Sequence, residues 1–154
     1  MEKKKVLFVC GHNSARSQMA QAFLNMLAGD RFEAESAGIE AGTLNPLVVE
    51  AMGEIGIDIS GNTTRRAFDL LKQGKRFHYV ITVCDAGNAQ KCPTFPYTWQ
   101  YLNWRFPDPA ELQGNYEEKM KEIRKIRDAI KEKLTAWISE PETEAKIPAF
   151  KFGM

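Results

Sequence analysis

Apolar and polar residues alternate along the chain with two different periods. Short runs rich in β-branched and aromatic residues are typical of buried strands. These predicted strands span residues 6–9, 32–37, 77–83 and 98–104. Other segments place apolar residues three and four positions apart, which gives a helix one apolar face. These predicted helices span residues 14–28, 46–55, 67–72 and 116–138.

The order of strands and helices predicts the fold class. Strand, helix, strand, helix is the order that builds a parallel sheet with helices on both faces. We expect an α/β fold, a single-domain, open, twisted, mostly parallel four-stranded sheet. Neither a linker nor a repeat divides the 154 residues. Residues 1–140 are predicted to form the domain and residues 141–154 a C-terminal tail, because Pro141 stops the last helix.

Composition and charge exclude several classes of protein. With 44% hydrophobic and 27% charged residues, the chain is ordinary for a globular protein and unlike a disordered one. A net charge of +1 gives no reason to expect a nucleic acid as partner. The apolar run 6–10 is far shorter than the roughly 20 residues of a membrane span, and too short for a signal peptide. We therefore expect a cytoplasmic protein with no nucleic acid or membrane partner.

Three cysteines, Cys10, Cys84 and Cys92, are too few for a disulfide scaffold and odd in number. In a reducing compartment such residues are catalytic, redox-active or simply buried. Seven residues separate Cys84 from Cys92, more than a zinc knuckle allows, and the only histidines are His12 and His78. No metal site is predicted, and His78 is interpreted as structural.

The loop after the first predicted strand has the features of an anion site. It reads Cys10-Gly11-His12-Asn13-Ser14-Ala15-Arg16-Ser17 and leads directly into the first predicted helix. Ligands of open parallel sheets bind beyond the carboxyl ends of the strands, where this loop lies. A helix N-terminus offers free N–H groups and a positive dipole end, and the loop amides can converge on one anion. Arg16 adds a planar fork that matches two oxygens of a tetrahedral oxyanion.

The same positive environment favours the thiolate form of Cys10, which is the nucleophile. Ser14 and Ser17 can donate hydrogen bonds to the sulfur or to loop carbonyls, and Asn13 tolerates left-handed backbone. His12 is interpreted as shaping the loop or its positive field. The alternative is a buried cysteine at a strand end with a surface arginine nearby. The pattern of strand, loop and helix favours attack of Cys10 on a bound oxyanion.

Asp108 is the candidate general acid for this attack. A thiolate that attacks an oxyanion needs a proton for the departing oxygen. Asp108 lies between Pro107 and Pro109, which fix the backbone around the carboxyl group. An ordinary turn aspartate is the alternative, because the Asp-Pro pair is common in turns.

The loop and several further motifs resemble the low-molecular-weight protein tyrosine phosphatase superfamily, and more closely its thioredoxin-coupled arsenate reductases. The resemblance covers nearly the whole chain to about Ile138. It rests on residues 10–20, Glu35-Ser36-Ala37-Gly38, Asn45-Pro46, Gly56-Ile57-Asp58-Ile59-Ser60, Val83-Cys84-Asp85 and Trp104-Arg105-Phe106-Pro107-Asp108-Pro109.

This resemblance implies a reaction. Cys10 attacks arsenate while Asp108 supplies the proton, and Cys84 then attacks Cys10 and expels arsenite. Cys92 attacks Cys84 and moves the disulfide outward to Cys84–Cys92, where thioredoxin reduces it. No tightly bound cofactor is implied, and phosphate or sulfate would compete with arsenate for the loop. We expect a monomer.

Two departures from the family pattern accompany the resemblance. The spacing between Cys84 and Cys92 is one residue longer than in the family, which bears on the geometry of the outer disulfide. Some members of the wider family bind potassium beside the loop through two acidic residues. Gln21 and Arg65 stand at those positions here, which counts against a potassium requirement, although Asn13 and Ser36 are retained.

Three readings of function remain open at the level of sequence. A phosphatase of the same fold would use Cys10, Arg16 and Asp108, but Ala110 stands where an aromatic residue would stack on an aryl phosphate. A non-catalytic oxyanion sensor is disfavoured by the presence of all three catalytic groups. Within the reductase reading, glutaredoxin would replace thioredoxin if the pair Cys84–Cys92 never forms.

Overall fold

A computed structural model describes residues 2–140 of the chain. The strands are β1 (Lys4–Cys10), β2 (Phe32–Gly38), β3 (Tyr79–Thr82) and β4 (Gln100–Asn103). The helices are α1 (Arg16–Ala28), α2 (Pro46–Gly53), α3 (Ala67–Lys72), α4 (Ala86–Ala89) and α5 (Tyr116–Ile138), with a 3₁₀ turn at Pro109–Glu111. The predicted tail, residues 141–154, lies outside the described residues. Along residues 2–140, no helix has the length and hydropathy needed to cross a bilayer.

The four strands form one sheet in the order β2-β1-β3-β4. Every neighbouring pair is parallel, so the α/β class is confirmed, and the sheet is entirely rather than mostly parallel. The register places Cys10 beside Gly38 and Val9 beside Thr82. The ends of β1, β2 and β3 therefore meet at one edge, which brings the segments after these strands together.

The core lies on both faces of the sheet because side chains of a strand alternate in direction. Val6, Phe8 and Cys10 of β1 pack into one cluster with residues of α1, α2 and α5. Leu7 and Val9 pack into a second cluster on the other face. That second cluster is completed by Ala37, Ala67, Leu70, Phe77, Val80 and Phe95.

The long C-terminal helix is well defined at its start and along its buried face. Asn115 and Glu118 form a reciprocal capping box that satisfies two N–H groups at the start of α5. Its buried apolar residues are Met120, Ile123, Ile126, Ile130, Leu134 and Trp137. This face packs against α1 and α2 and so holds the helix that follows the anion loop.

Element bounds differ from the predicted ones mainly at the candidate site. The first helix begins at Arg16 instead of Ser14, because the Ser14 carbonyl accepts from the N–H of Asn45 and belongs to the loop. The segment between Cys84 and Cys92, which none of the predicted helices covers, contains α4. Asp85 caps that short helix by accepting from the N–H of Asn88 over 2.9 Å.

Replacing the fully buried Ile130 by alanine should lower the free energy of unfolding by about 2–5 kcal/mol, because it would leave a cavity in the main core cluster. Urea denaturation of the full chain measures this change. The exposed Glu132 lies on the same helix, and Glu132→Ala should change stability by less than about 0.5 kcal/mol. Equal losses in the two variants would contradict the packing described here.

Candidate active site

The anion loop is held from its outer side by the segment that follows β2. The carbonyl groups of Cys10, Gly11 and His12 accept from the N–H groups of residues 39, 40 and 42, over 2.9–3.0 Å. A side chain on Gly38 would come within 2.6 Å of the backbone nitrogen of Asn13, so only glycine allows this approach. Because the loop carbonyls are engaged on this side, the loop N–H groups are the ones available to an anion.

Asn13 is the buried centre of the loop. Its backbone is left-handed, with φ of 57°, a conformation that asparagine tolerates better than most residues. Its side-chain amide donates to Ser17 over 2.8 Å and to Ser36 over 3.0 Å. Its Oδ1 accepts from the backbone N–H of Arg65 over 2.9 Å and from Gln18 over 3.3 Å. The side-chain polar atoms of Asn13 are thus bonded to three parts of the fold: α1, β2 and the segment before α3.

The thiol of Cys10 lies against α1. Its Sγ is 2.9 Å from the hydroxyl of Ser17, and only 2% of the residue is exposed. Because the Asn13 amide already donates to that hydroxyl oxygen, the hydroxyl proton is left to be donated to the sulfur. The Ser17 hydroxyl therefore orients the sulfur of Cys10 at the start of α1.

Arg16 and Asp108 face each other across the pocket. The guanidinium of Arg16 donates to the Phe106 carbonyl over 3.1 Å and lies 3.6 Å from the Asp108 carboxylate. The other carboxylate oxygen of Asp108 accepts from the N–H of Ala110 over 2.9 Å and begins the 3₁₀ turn. The predicted general acid and the predicted anion clamp therefore belong to one site.

A cavity of about 500 Å³ opens beside these two groups. Its lining residues are Gly11, His12, Arg16, Asp85, Asn88, Arg105, Phe106, Pro107, Asp108 and Glu111. His12 lines this cavity from the loop, as its predicted role in shaping the field would require. Sequence reasoning missed Arg105, Asp85 and Asn88 at the pocket. Only an Asx-type cap, Asp85 three residues before Asn88, was available as a signal for the last two.

Cys84 is buried beside the loop. It follows β3, shares a core cluster with Cys10, and its Sγ lies 3.9 Å from the Val9 carbonyl. Burial, and to a smaller extent the neighbouring Cys10, raises the pKa of Cys84 to about 11. Cys84 is therefore a neutral thiol at neutral pH, held next to the predicted nucleophile.

Cys92 lies on the opposite face of the sheet from Cys84. It is half-buried against the cluster that contains Phe77 and Phe95, and it lines a separate cavity of about 410 Å³ beside β4. Burial raises the pKa of Cys92 to about 12. All three cysteines are free thiols, so the structure represents the reduced protein. The segment 85–91 would have to rearrange before Cys92 could reach Cys84.

Other predicted residues have simpler surroundings. His78 lies outside the site, where its Nδ1 accepts from the N–H of Lys5 over 2.8 Å. Ala15 is buried at the end of the loop, just before α1. Within residues 2–140, no three side chains of the His, Cys, Asp or Glu type come together as a metal-binding group.

A buried cysteine, an anion loop, an arginine and a facing aspartate define a cysteine-dependent oxyanion enzyme. A family model described as low molecular weight phosphotyrosine protein phosphatase matches residues 5–147. The chain belongs to this family.

The individual proteins that this chain is similar to include arsenate reductases. An arsenate reductase of Halalkalibacterium halodurans is 42% identical over 130 residues, which cover 84% of this chain and 91% of that protein. A solved arsenate reductase in a phosphate-binding state has a TM-score of 0.72 at 29% identity and covers 88% of this chain and 97% of its own. A solved thioredoxin-dependent arsenate reductase of Corynebacterium glutamicum has a TM-score of 0.59 at 31% identity. The match covers 87% of this chain and 63% of that chain.

The different environments of the three thiols predict selective alkylation. At about pH 8 iodoacetate should modify Cys10 alone, since the raised pKa values keep Cys84 and Cys92 protonated and unreactive. Peptide mass spectrometry identifies the modified residue, and phosphate should protect it. In urea all three cysteines should react. Modification of Cys92 before Cys10 in the folded protein would contradict the raised pKa of Cys92.

Proposed function

We propose that this protein reduces arsenate to arsenite, using Cys10, Cys84 and Cys92 in turn and thioredoxin as the final reductant. The observation that carries the proposal is the second thiol: Cys84 is buried in the same cluster as Cys10, directly beside the anion loop. The arsenate reductases among its relatives support the choice of substrate. The thioredoxin-dependent relative supports the choice of reductant.

In the first step the loop binds arsenate and Cys10 attacks the arsenic atom. The N–H groups of the loop and the guanidinium of Arg16 hold the oxyanion. A sulfur–arsenic bond forms, an arsenic–oxygen bond breaks, and Asp108 gives its proton to the departing oxygen, which leaves as water. The 3.6 Å separation of Arg16 from Asp108 leaves both groups within reach of one small tetrahedral ion.

In the second step Cys84 attacks the sulfur of Cys10. The thiol loses its proton, a sulfur–sulfur bond forms, and the electron pair of the broken sulfur–arsenic bond goes to arsenic. Arsenic passes from the pentavalent to the trivalent state and leaves as arsenite. A single cysteine cannot supply both electrons, so the position of Cys84 beside Cys10 favours a reductase over a simple hydrolase.

In the third step Cys92 attacks the sulfur of Cys84. A new disulfide, Cys84–Cys92, forms while the Cys10 thiolate is released and the loop is ready for another anion. This step requires Cys92 to leave its half-buried place and α4 to unwind, since the two thiols start on opposite faces of the sheet. The dithiol of thioredoxin then reduces the exposed disulfide and is itself oxidised.

Hydrolysis of phosphate esters is the second candidate activity. Cys10, Arg16 and Asp108 suffice for it, and the family takes its description from such phosphatases. After Asp108, however, the chain continues with Pro109, Ala110 and the polar Glu111, which offer no ring to stack on a tyrosyl group. Phosphatase activity is therefore expected to be weak. A monomeric state and a cytoplasmic location stay predictions.

Removing either resolving thiol should stop turnover at different steps. In assays of arsenate-dependent NADPH oxidation with thioredoxin and thioredoxin reductase, Cys84→Ser and Cys92→Ser should both lose at least about 100-fold in rate. Without any reductant, Cys92→Ser should release one equivalent of arsenite and retain a Cys10–Cys84 disulfide, whereas Cys84→Ser should release none. Arsenate turnover at the wild-type rate in both variants would exclude the relay. Hydrolysis of an aryl phosphate without arsenate turnover would indicate a phosphatase.

The carboxyl group of Asp108 should contribute to the first step alone. Asp108→Asn should lower the rate of arsenite release by about 10²–10⁴-fold, since a positioned general acid accelerates proton transfer by that amount. Rapid-quench measurement of a single turnover separates this step from thioredoxin recycling. The control is Asp30→Asn, which removes one exposed carboxylate in the turn after α1 and should leave the rate unchanged. An unaltered rate in Asp108→Asn would remove Asp108 from the mechanism.

A further inference from the structure

A cluster of hydrogen bonds supports the anion loop from outside, and the proposed chemistry does not use it. Arg65 is at its centre. The guanidinium donates to the Ser36 carbonyl over 2.9 Å and to the Glu35 carboxylate over 3.1 Å. The backbone N–H of Arg65 donates to Oδ1 of Asn13 over 2.9 Å. A single residue therefore holds both the end of β2 and the buried asparagine of the loop.

This cluster carries a positive charge. The Glu35 carboxylate accepts from Lys75 over 2.9 Å as well as from Arg65, so one negative group faces two positive ones and a charge of +1 remains. Burial alone raises the pKa of Glu35, but the bonds and charges of Lys75 and then Arg65 outweigh it and hold that pKa below its usual range. Glu35 is thus ionised at neutral pH and fixes the guanidinium in place.

The connection from the cluster to the nucleophile is continuous. Ser36 accepts from the Asn13 amide over 3.0 Å, and the same amide donates to Ser17 over 2.8 Å. The Ser17 hydroxyl lies 2.9 Å from the sulfur of Cys10. The backbone N–H of Arg65 holds Asn13, and its guanidinium holds the Ser36 carbonyl. Loss of the side chain would keep the first bond and remove the second, which would loosen Ser36, one of the two acceptors of the Asn13 amide.

The potassium site of some members of the wider family does not fit these residues. Two acidic ligands are replaced, one by the neutral Gln21 and the other by the cationic Arg65. The oxygen of Gln21 accepts from the Ser36 hydroxyl over 2.5 Å, and Oδ1 of Asn13 accepts from the Arg65 N–H. The guanidinium itself takes the Ser36 carbonyl. The positive side chain of Arg65 thus stands at the position of an acidic potassium ligand in those family members.

We propose that Arg65 is a built-in cation and a positioning residue for Cys10, and that it makes the reactivity of this thiol independent of potassium. The inference rests on the proposed function in one respect, that Cys10 is the nucleophile. It needs neither arsenate nor thioredoxin, because the positioned thiol can be followed by its reaction with an uncharged alkylating reagent. Failure of the inference and failure of the proposed function can therefore be told apart.

The first measurement is the pH dependence of Cys10 alkylation by iodoacetamide, followed by peptide mass spectrometry. In Arg65→Gln the rate at neutral pH should fall about 3- to 10-fold and the midpoint of the profile should rise, because a positive charge near the thiolate is removed. Arg65→Lys should recover at least half of the loss. The matched control is Arg66→Gln, which removes the same charge from a side chain that pairs with Asp69.

The other titratable groups around the anion loop are the same in all of these variants. Cys84 shares a core cluster with Cys10, and the cavity beside the loop is lined by His12, Arg16, Asp85, Arg105, Asp108 and Glu111. Differences between the Arg65 and Arg66 variants therefore report on the cluster. Equal shifts in Arg65→Gln and Arg66→Gln, or an Arg65→Gln profile that coincides with the wild type, would overturn the proposal.

The second measurement compares potassium chloride with sodium chloride at equal concentration. The wild-type alkylation rate and Tm should be the same in both salts. The double variant Gln21→Glu/Arg65→Asp, which supplies two carboxylates, should react faster and melt higher in potassium than in sodium. A potassium-specific increase in the wild type would overturn the proposal even if the Arg65 variants fold poorly.

Discussion

The orientation of the anion loop is the constraint on which the rest of the site depends. Its carbonyl groups accept hydrogen bonds from the segment after β2, and this leaves its N–H groups for the substrate. Parallel pairing places Gly38 beside Cys10, and the absence of a side chain there lets the two segments approach. Asn13, buried in a left-handed conformation, then joins the loop to α1 and to residue 65.

The three thiols are distributed over the two faces of the sheet. Alternation along β1 directs Cys10 toward the α1 and α5 side and Val9 toward the other side. Cys84 follows β3 on the side of Cys10, whereas Cys92 packs with the opposite cluster. One resolving thiol therefore shares a core cluster with the nucleophile, and the other must move before it can react.

The sequence predicts features that depend on local pattern and strand order. The runs in β1 and β2 and the stripe along α5 were strong enough to give the fold class and to bring Cys10, Cys84 and Asp108 to one edge. It did not predict α4, since the segment contains Gly87 and is too short to show a helical period. The contact of Arg65 with Asn13 joins residues 52 positions apart, and no local signal announces such a contact.

The short helix between the two resolving cysteines affects which surface the protein exposes after oxidation. Movement of Cys92 toward Cys84 would uncover part of the apolar cluster against which Cys92 packs, which contains Phe77 and Phe95. The oxidised protein would then expose an apolar patch that is covered in the reduced protein. A reductant that binds this patch would bind the oxidised protein in preference to the reduced protein.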